Sequence, residues 1–141
     1  MSQTRAVQTI GDALLDAAHA VPDKEFIVFP GARRTYDQVY RKAIEIARSL
    51  IALGVKPQDR VGVLLPNCVE FAEWYFGIFF AGATIAPINT RFKTRELEYV
   101  CRHSRIKMLV TSDLIDSHTN FTELLDAAIP GLAAMSSGSG G

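Results

Sequence analysis

The sequence predicts an α/β fold: a mostly parallel sheet with helices on both faces, preceded by a short N-terminal hairpin. Three observations carry this. Arg60 to Leu65 is almost entirely apolar and aliphatic without alternation, the composition of a strand buried on both faces. Stretches of that kind at 60–65, 84–88 and 108–111 alternate with helical patterns of ten or more residues, as in right-handed βαβ units. And 48% of the 141 residues are hydrophobic while fifteen Lys+Arg balance fifteen Asp+Glu, which suits a chain with its own core and not a disordered one.

Each element has a local reason. Thr9 caps a helix over about Ile10–Ala20 that turns Ile10, Leu14, Ala17 and Ala18 to one side and stops at Pro22-Asp23. Phe26–Phe29, the Pro30-Gly31-Ala32 turn and Arg33–Thr35 read as the hairpin. Thr35 and Gln38 have capping-box spacing, each side chain answering an orphan backbone donor of the other. The helix that follows places Val39, Tyr40, Ala43, Ala47, Leu50 and Ile51 on one face, with Asp37, Arg41 and Arg48 opposite. Gly54 suits the left-handed position that ends it.

A turn at Lys56-Pro57-Gln58-Asp59 leads into the first buried strand, which Pro66-Asn67 closes. Asn67 and Glu70 repeat the capping-box spacing ahead of a helix over Val69–Ala81 that is apolar almost all round, so it should be buried. Thr84–Ile88 is the second buried strand, and Thr94 caps a helix to about His103. Met108–Thr111 is the third strand, and Asn120 with Glu123 opens a last helix to Ile129. Residues 1–8 read as a tail, 9–130 as the folded part, and the Gly/Ser-rich 131–141 as a linker-like tail that cannot build a core.

Composition also excludes whole classes of function. A neutral total argues against nucleic acid held by a global positive field. Cys68 and Cys101 form no Cys-x-x-Cys and stand near no histidine at ligand spacing, so neither a disulfide framework nor a zinc site is expected. Met1 to Asp23 has no apolar h-region and carries Asp12 and Asp16, unlike a signal or transit peptide. Trp74–Ile88 is fifteen residues without a charge, short of the roughly 18 of a spanning helix. The expectation is a cytoplasmic chain with no transmembrane segment.

Direct signals for chemistry are few. No Gly-x-Gly-x-x-Gly or Walker-type glycine loop follows the first buried strand, and the Ser-Gly tail lacks a lysine to face a phosphate. Cys68 begins a helix, where the dipole can lower a thiol pKa, but free cysteine is more often a packing residue. His19, His103 and His118 are scattered and read as surface or capping residues. Trp74, Tyr75, Phe76, Phe79 and Phe80 could line a pocket, though such clusters more often form core. Between Arg91 and Lys107 stand six basic residues, Arg91, Lys93, Arg95, Arg102, Arg105 and Lys107, against Glu96 and Glu98. That stretch begins in the loop after a parallel strand, where open α/β sheets bind ligands. It reads either as a phosphate site or as a solvated helix face.

Several blocks then come in order: Thr35-Tyr36-Asp37-Gln38-Val39, Leu53–Val63 (LGVKPQDRVGV), Leu65-Pro66-Asn67 and Ala81–Arg91 (AGATIAPINTR). From about Thr9 to Asp126 they resemble the N-terminal region of the adenylate-forming, AMP-binding acyl-CoA synthetases. The resemblance implies an N-terminal subdomain of that fold. It also implies an activity, ATP-dependent activation of a carboxylic acid to an acyl-adenylate followed by thioester formation with CoA, so ATP, Mg and CoA are the cofactors of the full-length enzymes. Arg91 matches an arginine that contacts the CoA nucleotide phosphate in some members, and Lys93 is a second candidate for the same patch. Many members have proline between the Asn and the Arg, where this chain has Thr90.

The family's Ser/Thr/Gly-rich loop ending in Pro-Lys-Gly, its Tyr-Gly-x-Thr-Glu block, its ribose-binding aspartate and its C-terminal catalytic lysine have no counterparts here. The resemblance therefore implies a partial synthetase domain over 9–130, with no catalytic residue to carry over and no cofactor tightly held. The alternative is a non-catalytic binding or interaction module that keeps the family's fold. In either case apolar surface around Phe71, Tyr75 and Phe79 is expected to be exposed and to drive self-association. An unrelated flavodoxin-like domain is the third reading.

Overall fold

The computed structural model describes residues 9–112 and 120–130. The expected tails at 1–8 and 131–141, and His118, lie outside them. The described elements are α1 (Ile10–Ala20), β1 (Glu25–Phe29), β2 (Ala32–Thr35), α2 (Tyr36–Ala52), β3 (Arg60–Leu64), α3 (Val69–Phe80), β4 (Thr84–Pro87), α4 (Thr94–His103), β5 (Ile106–Thr111) and α5 (Phe121–Ala128). They form an α/β fold with a three-stranded sheet ordered β4-β3-β5 and a separate β1-β2 hairpin. Two compact units share the chain, one of residues 1–59 and 67–85, the other of 60–66 and 86–141.

The first unit is a helical layer beside the hairpin. The Thr9 hydroxyl accepts the Asp12 N–H at 3.0 Å and starts α1. Leu14 and Ala18 are buried as expected, whereas Ile10 is 47% exposed because it is the helix's first residue. Gly31 adopts φ +79° between two antiparallel strands, which only glycine does without strain. The Thr35–Gln38 capping box forms in full: Gln38 N–H donates to Thr35 Oγ1 at 3.2 Å and Thr35 N–H to Gln38 Oε1 at 2.9 Å.

Helix α2 buries Val39, Ala43, Ile46, Ala47 and Leu50. Ile51, expected on this face, is instead 56% exposed, and Ile46 takes part in the buried row. Helix α3 packs so closely on α2 that a Cβ on Gly77 would lie 2.7 Å from Ile46 Cβ and 3.2 Å from the Ala43 carbonyl oxygen.

Two sequence expectations fail at α3. The Asn67–Glu70 capping box does not form. Cys68 is the N-cap and makes no side-chain cap bond, so Asn67 stands one residue outside the position that spacing assigned it. Nor is α3 buried all round: Val69, Glu73, Gly77 and Ile78 are buried, while Phe71, Trp74, Tyr75, Phe76, Phe79 and Phe80 are half-buried. The helix's apolar excess is spread over partial contacts, and its most enclosed line includes a carboxylate.

The second unit contains the parallel β3–β5 pair. Val61 faces Met108, Gly62 Leu109, Val63 Val110 and Leu64 Thr111 across the ladder. Residues 61–65 are all buried, as a strand without alternation demands. The Thr84–Ile88 stretch departs from its expectation. Thr84 and Pro87 are exposed, because β4 is the edge strand of the sheet, and only Ile88 beyond it is buried. Helices α4 and α5 complete this unit's core through Leu97, Phe121, Leu125 and Ala128, which cluster with Leu64 and Ile88. The Asn120 side chain accepts the Glu123 N–H at 3.1 Å and starts α5. Helix α4 has Lys93, not Thr94, as its N-cap, and Thr94 is its first helical residue.

Candidate functional site

The loop from Asn89 to Lys93, between β4 and α4, contains both residues singled out as cation contacts. The Asn89 side-chain oxygen accepts the Arg91 N–H at 2.9 Å, and the Asn89 carbonyl accepts the Phe92 N–H at 3.1 Å. Together these close a turn with Thr90 and Arg91 at its two corners. Phe92 packs against the α4–α5 core cluster and anchors the loop. The Lys93 N–H donates to Glu96 Oε2 at 2.7 Å, which fixes the entry into α4. Arg91 and Lys93 thus flank an anchored aromatic residue on a backbone held by three hydrogen bonds, and both are exposed.

Arg95 is exposed on the first turn of α4, adding a third cation to the same segment. Further along, Arg102 is committed to Glu98 at 3.1 Å in an i,i+4 pair. The arrangement can attract and hold an anion such as a phosphate through charge and donor hydrogen bonds.

The remaining sequence candidates separate cleanly. Burial pushes the Cys68 thiol pKa up, outweighing the lowering by the Phe71 N–H, so the helix-start position does not activate it. Burial also raises the Cys101 thiol. His103 is an α4 capping residue, with Nδ1 2.9 Å from the Tyr99 carbonyl oxygen and its ring stacked on Tyr99 at 4.2 Å. His19 meets the edge of Tyr40 at 6.3 Å. Phe76 and Phe80 join an aromatic packing network, Phe26–Tyr36 at 4.5 Å, Phe26–Phe76 at 6.0 Å and Tyr40–Phe80 at 5.8 Å, in keeping with a core role.

Phe71, Tyr75 and Phe79, expected as exposed apolar surface, are half-buried; among the described residues the large apolar side chains most exposed are Leu53, Tyr99, Val28, Ile51, Ile10 and Val21. Among the described residues no group of His, Cys, Asp and Glu is placed to hold a metal ion. No described helix is long and apolar enough to cross a membrane.

One charged pair escaped sequence reading. Glu73 on α3 is only 5% exposed, and its Oε1 lies 3.4 Å from Arg34 Nε on β2. Burial raises its carboxyl pKa, with Arg34 opposing. In sequence Glu73 is one acid in an apolar helix, and nothing local ties it to a strand in the preceding hairpin.

An α/β fold with a parallel sheet, an antiparallel hairpin and a cationic loop after β4 defines a class that comparison with known proteins makes explicit. The chain belongs to the AMP-binding enzyme family, whose model matches residues 14–136. It is 34% identical over 108 residues to a long-chain-fatty-acid–CoA ligase of Bacillus subtilis (strain 168), a match covering 77% of this chain and 19% of the ligase. Surfactin synthase subunit 1 from the same organism is 31% identical over 124 residues, covering 86% of this chain and 4% of the synthase. The crystal structure of a protein assigned as a long-chain-fatty-acid CoA ligase from Rhodopseudomonas palustris CGA009 superposes with a TM-score of 0.78 at 26% identity. That alignment covers 88% of this chain and 30% of that one. The chain thus spans about a fifth of the length of the fatty-acid ligase it matches.

Proposed function

We propose that this chain forms the N-terminal part of an acyl-CoA synthetase, with residues 9–130 as a partial domain of that enzyme. The synthetase activates a carboxylic acid with ATP to an acyl-adenylate and passes the acyl group to CoA. One observation carries the reading: a family match over most of the chain, to ligases of which the chain spans a fifth. Within it, the exposed Arg91 and Lys93 on the anchored loop after β4 act as cation contacts for the nucleotide phosphate of CoA. ATP, Mg and CoA are the cofactors of the whole synthetase. On this reading the chain is a part that holds none of them tightly and has no catalysis of its own, because the synthetase's Pro-Lys-Gly loop, Tyr-Gly-x-Thr-Glu block and C-terminal lysine have no counterparts in its sequence. The cytoplasm is the compartment that suits such an enzyme.

The test is ATP–pyrophosphate exchange dependent on a carboxylic acid. The 141-residue chain alone is expected to stay at background, and the chain joined to the product of its continuing reading frame is expected to exchange. Carboxylate-dependent exchange by the chain alone would overturn the reading. In the joined enzyme, Arg91→Gln should raise the KM for CoA about tenfold, the scale of one charge-assisted hydrogen bond, and leave exchange unchanged. An unchanged KM would remove Arg91 from the role.

A further inference from the structure

In the second unit, α4 and α5 bury their apolar lines in one cluster, Leu97, Val100 and Cys101 from α4 with Phe121, Leu125 and Ala128 from α5. Their outer lines therefore lie side by side on the surface of this unit. On α4 the outer line is Arg95, Tyr99 and Arg102, at the i, i+4, i+7 spacing of one helix face, and all three are exposed. On α5 it is Glu123 and Asp126, three residues apart and also exposed.

The acids of α4 are already engaged. Glu96 Oε2 accepts the Lys93 N–H at 2.7 Å, and Glu98 pairs with Arg102 at 3.1 Å. Arg95, Glu123 and Asp126 have no ion-pair partner among the described residues. Two helices packed together and opposite in free charge thus make no ion pair with each other, and each turns its charge outward. At the centre of the basic line Tyr99 is 63% exposed, its ring held by stacking on His103 at 4.2 Å. A pre-positioned, exposed tyrosine between arginines has the composition of an interface centre.

We propose that the outer faces of α4 and α5 form a docking surface for a second copy of this chain. With a two-fold axis running between the helices, α4 of one copy lies on α5 of the other, and the same contact repeats by symmetry. Arg95 then meets Glu123 and Asp126 of the opposing copy. The Tyr99 ring lies against Thr122 and Ala127, the small exposed side chains of the opposing α5. Docking α4 on α4, or α5 on α5, sets equal charges against each other and is disfavoured.

Helices of 10 and 8 residues are about 15 and 12 Å long, so the interface is at the low end of the usual size range. The dimer is accordingly weak, and it depends on salt. The surface goes beyond the phosphate contacts proposed for Arg91 and Lys93 and does not use them.

Sedimentation equilibrium of the 141-residue chain tests this. In dilute buffer the chain should pass from monomer to dimer as its concentration rises. Raising salt from about 0.05 M to about 0.5 M should weaken the dimer about tenfold. Glu123→Gln with Asp126→Asn, which keeps both shapes, should weaken it by a similar factor and flatten the salt dependence. Tyr99→Ser should also cost about tenfold while leaving the salt dependence in place. Charge reversal separates this surface from any other mode of association. Arg95→Glu gives a chain with two acidic helix faces, and Glu123→Lys with Asp126→Lys gives a chain with two basic ones. Each alone should stay monomeric, and an equimolar mixture of the two should form the dimer again. The proposal is overturned by any of three results: a parent chain that stays monomeric in dilute buffer, a charge-reversed chain that dimerises as the parent does, or a mixture that does not associate.

Discussion

The two units of the chain handle charge in opposite ways. In the first, a carboxylate sits on the most enclosed line of α3 and is answered by an arginine from the hairpin. Helix packing there is close enough that Gly77 has no room for a methyl group. In the second, the core of Leu64, Ile88, Leu97, Phe121, Leu125 and Ala128 is purely apolar, and the cations stand outside on a hydrogen-bonded loop. Charge used inside a unit constrains its shape, since a buried ion must keep its partner. Charge held at the surface over an apolar core stays available to a ligand. Under the function proposed above, the first unit serves architecture and the second recognition.

The largest effect that would break this contrast lies in the second unit. Phe121 is 1% exposed, and Phe121→Ala should cost about 3–5 kcal/mol, read as a shift in urea midpoint with the slope unchanged. A smaller loss would show that the apolar cluster is not what holds α5. Next comes Gly77→Ala, whose added carbon meets Ile46 and the Ala43 carbonyl; about 1–3 kcal/mol is expected, partly recovered by Ile46→Ala in the same chain. Additive losses in the double variant would mean that the two helices separate as a whole.

A milder change sharpens the comparison at the entrance to α2. Thr35→Ala removes one arm of the capping box and should cost about 1 kcal/mol in thermal or urea unfolding. The smallest stability effect belongs to the recognition side. Arg91→Gln, at an exposed loop position, should stay within about 0.5 kcal/mol of the parent. A clear destabilisation there would make Arg91 part of the architecture after all.

What could be read from sequence was whatever is decided over three or four residues. Thr9, Thr35 and Asn120 were legible as caps because the donor they satisfy is three residues away. Gly54, at φ +94°, was legible because few other residues adopt that backbone. The same spacing misled at Asn67 and Glu70, since it does not say which backbone unit leaves the helix, and Cys68 took that place. The β4 strand was misjudged because its composition is that of a buried strand while its edge position depends on the order of all three strands. Glu73 and Arg34 were invisible as a pair for a related reason: their meeting is a product of tertiary packing between α3 and the hairpin. Arg91 and Lys93 were singled out by the family resemblance and the local basic excess, and the structure adds the anchoring of Phe92 between them.

The turn at Asn89 shows two solutions to one geometric problem. Where many family members place a proline, this chain has Thr90, the first corner of a turn closed by the Asn89 carboxamide and carbonyl. In the common turn types that corner is where a pyrrolidine ring fits, because the ring holds φ near the value the first corner needs. A proline narrows the unfolded ensemble before folding starts, whereas an asparagine side chain restrains the segment only once it has folded. The threonine form therefore leaves the cost of ordering the cationic loop to the moment the loop closes.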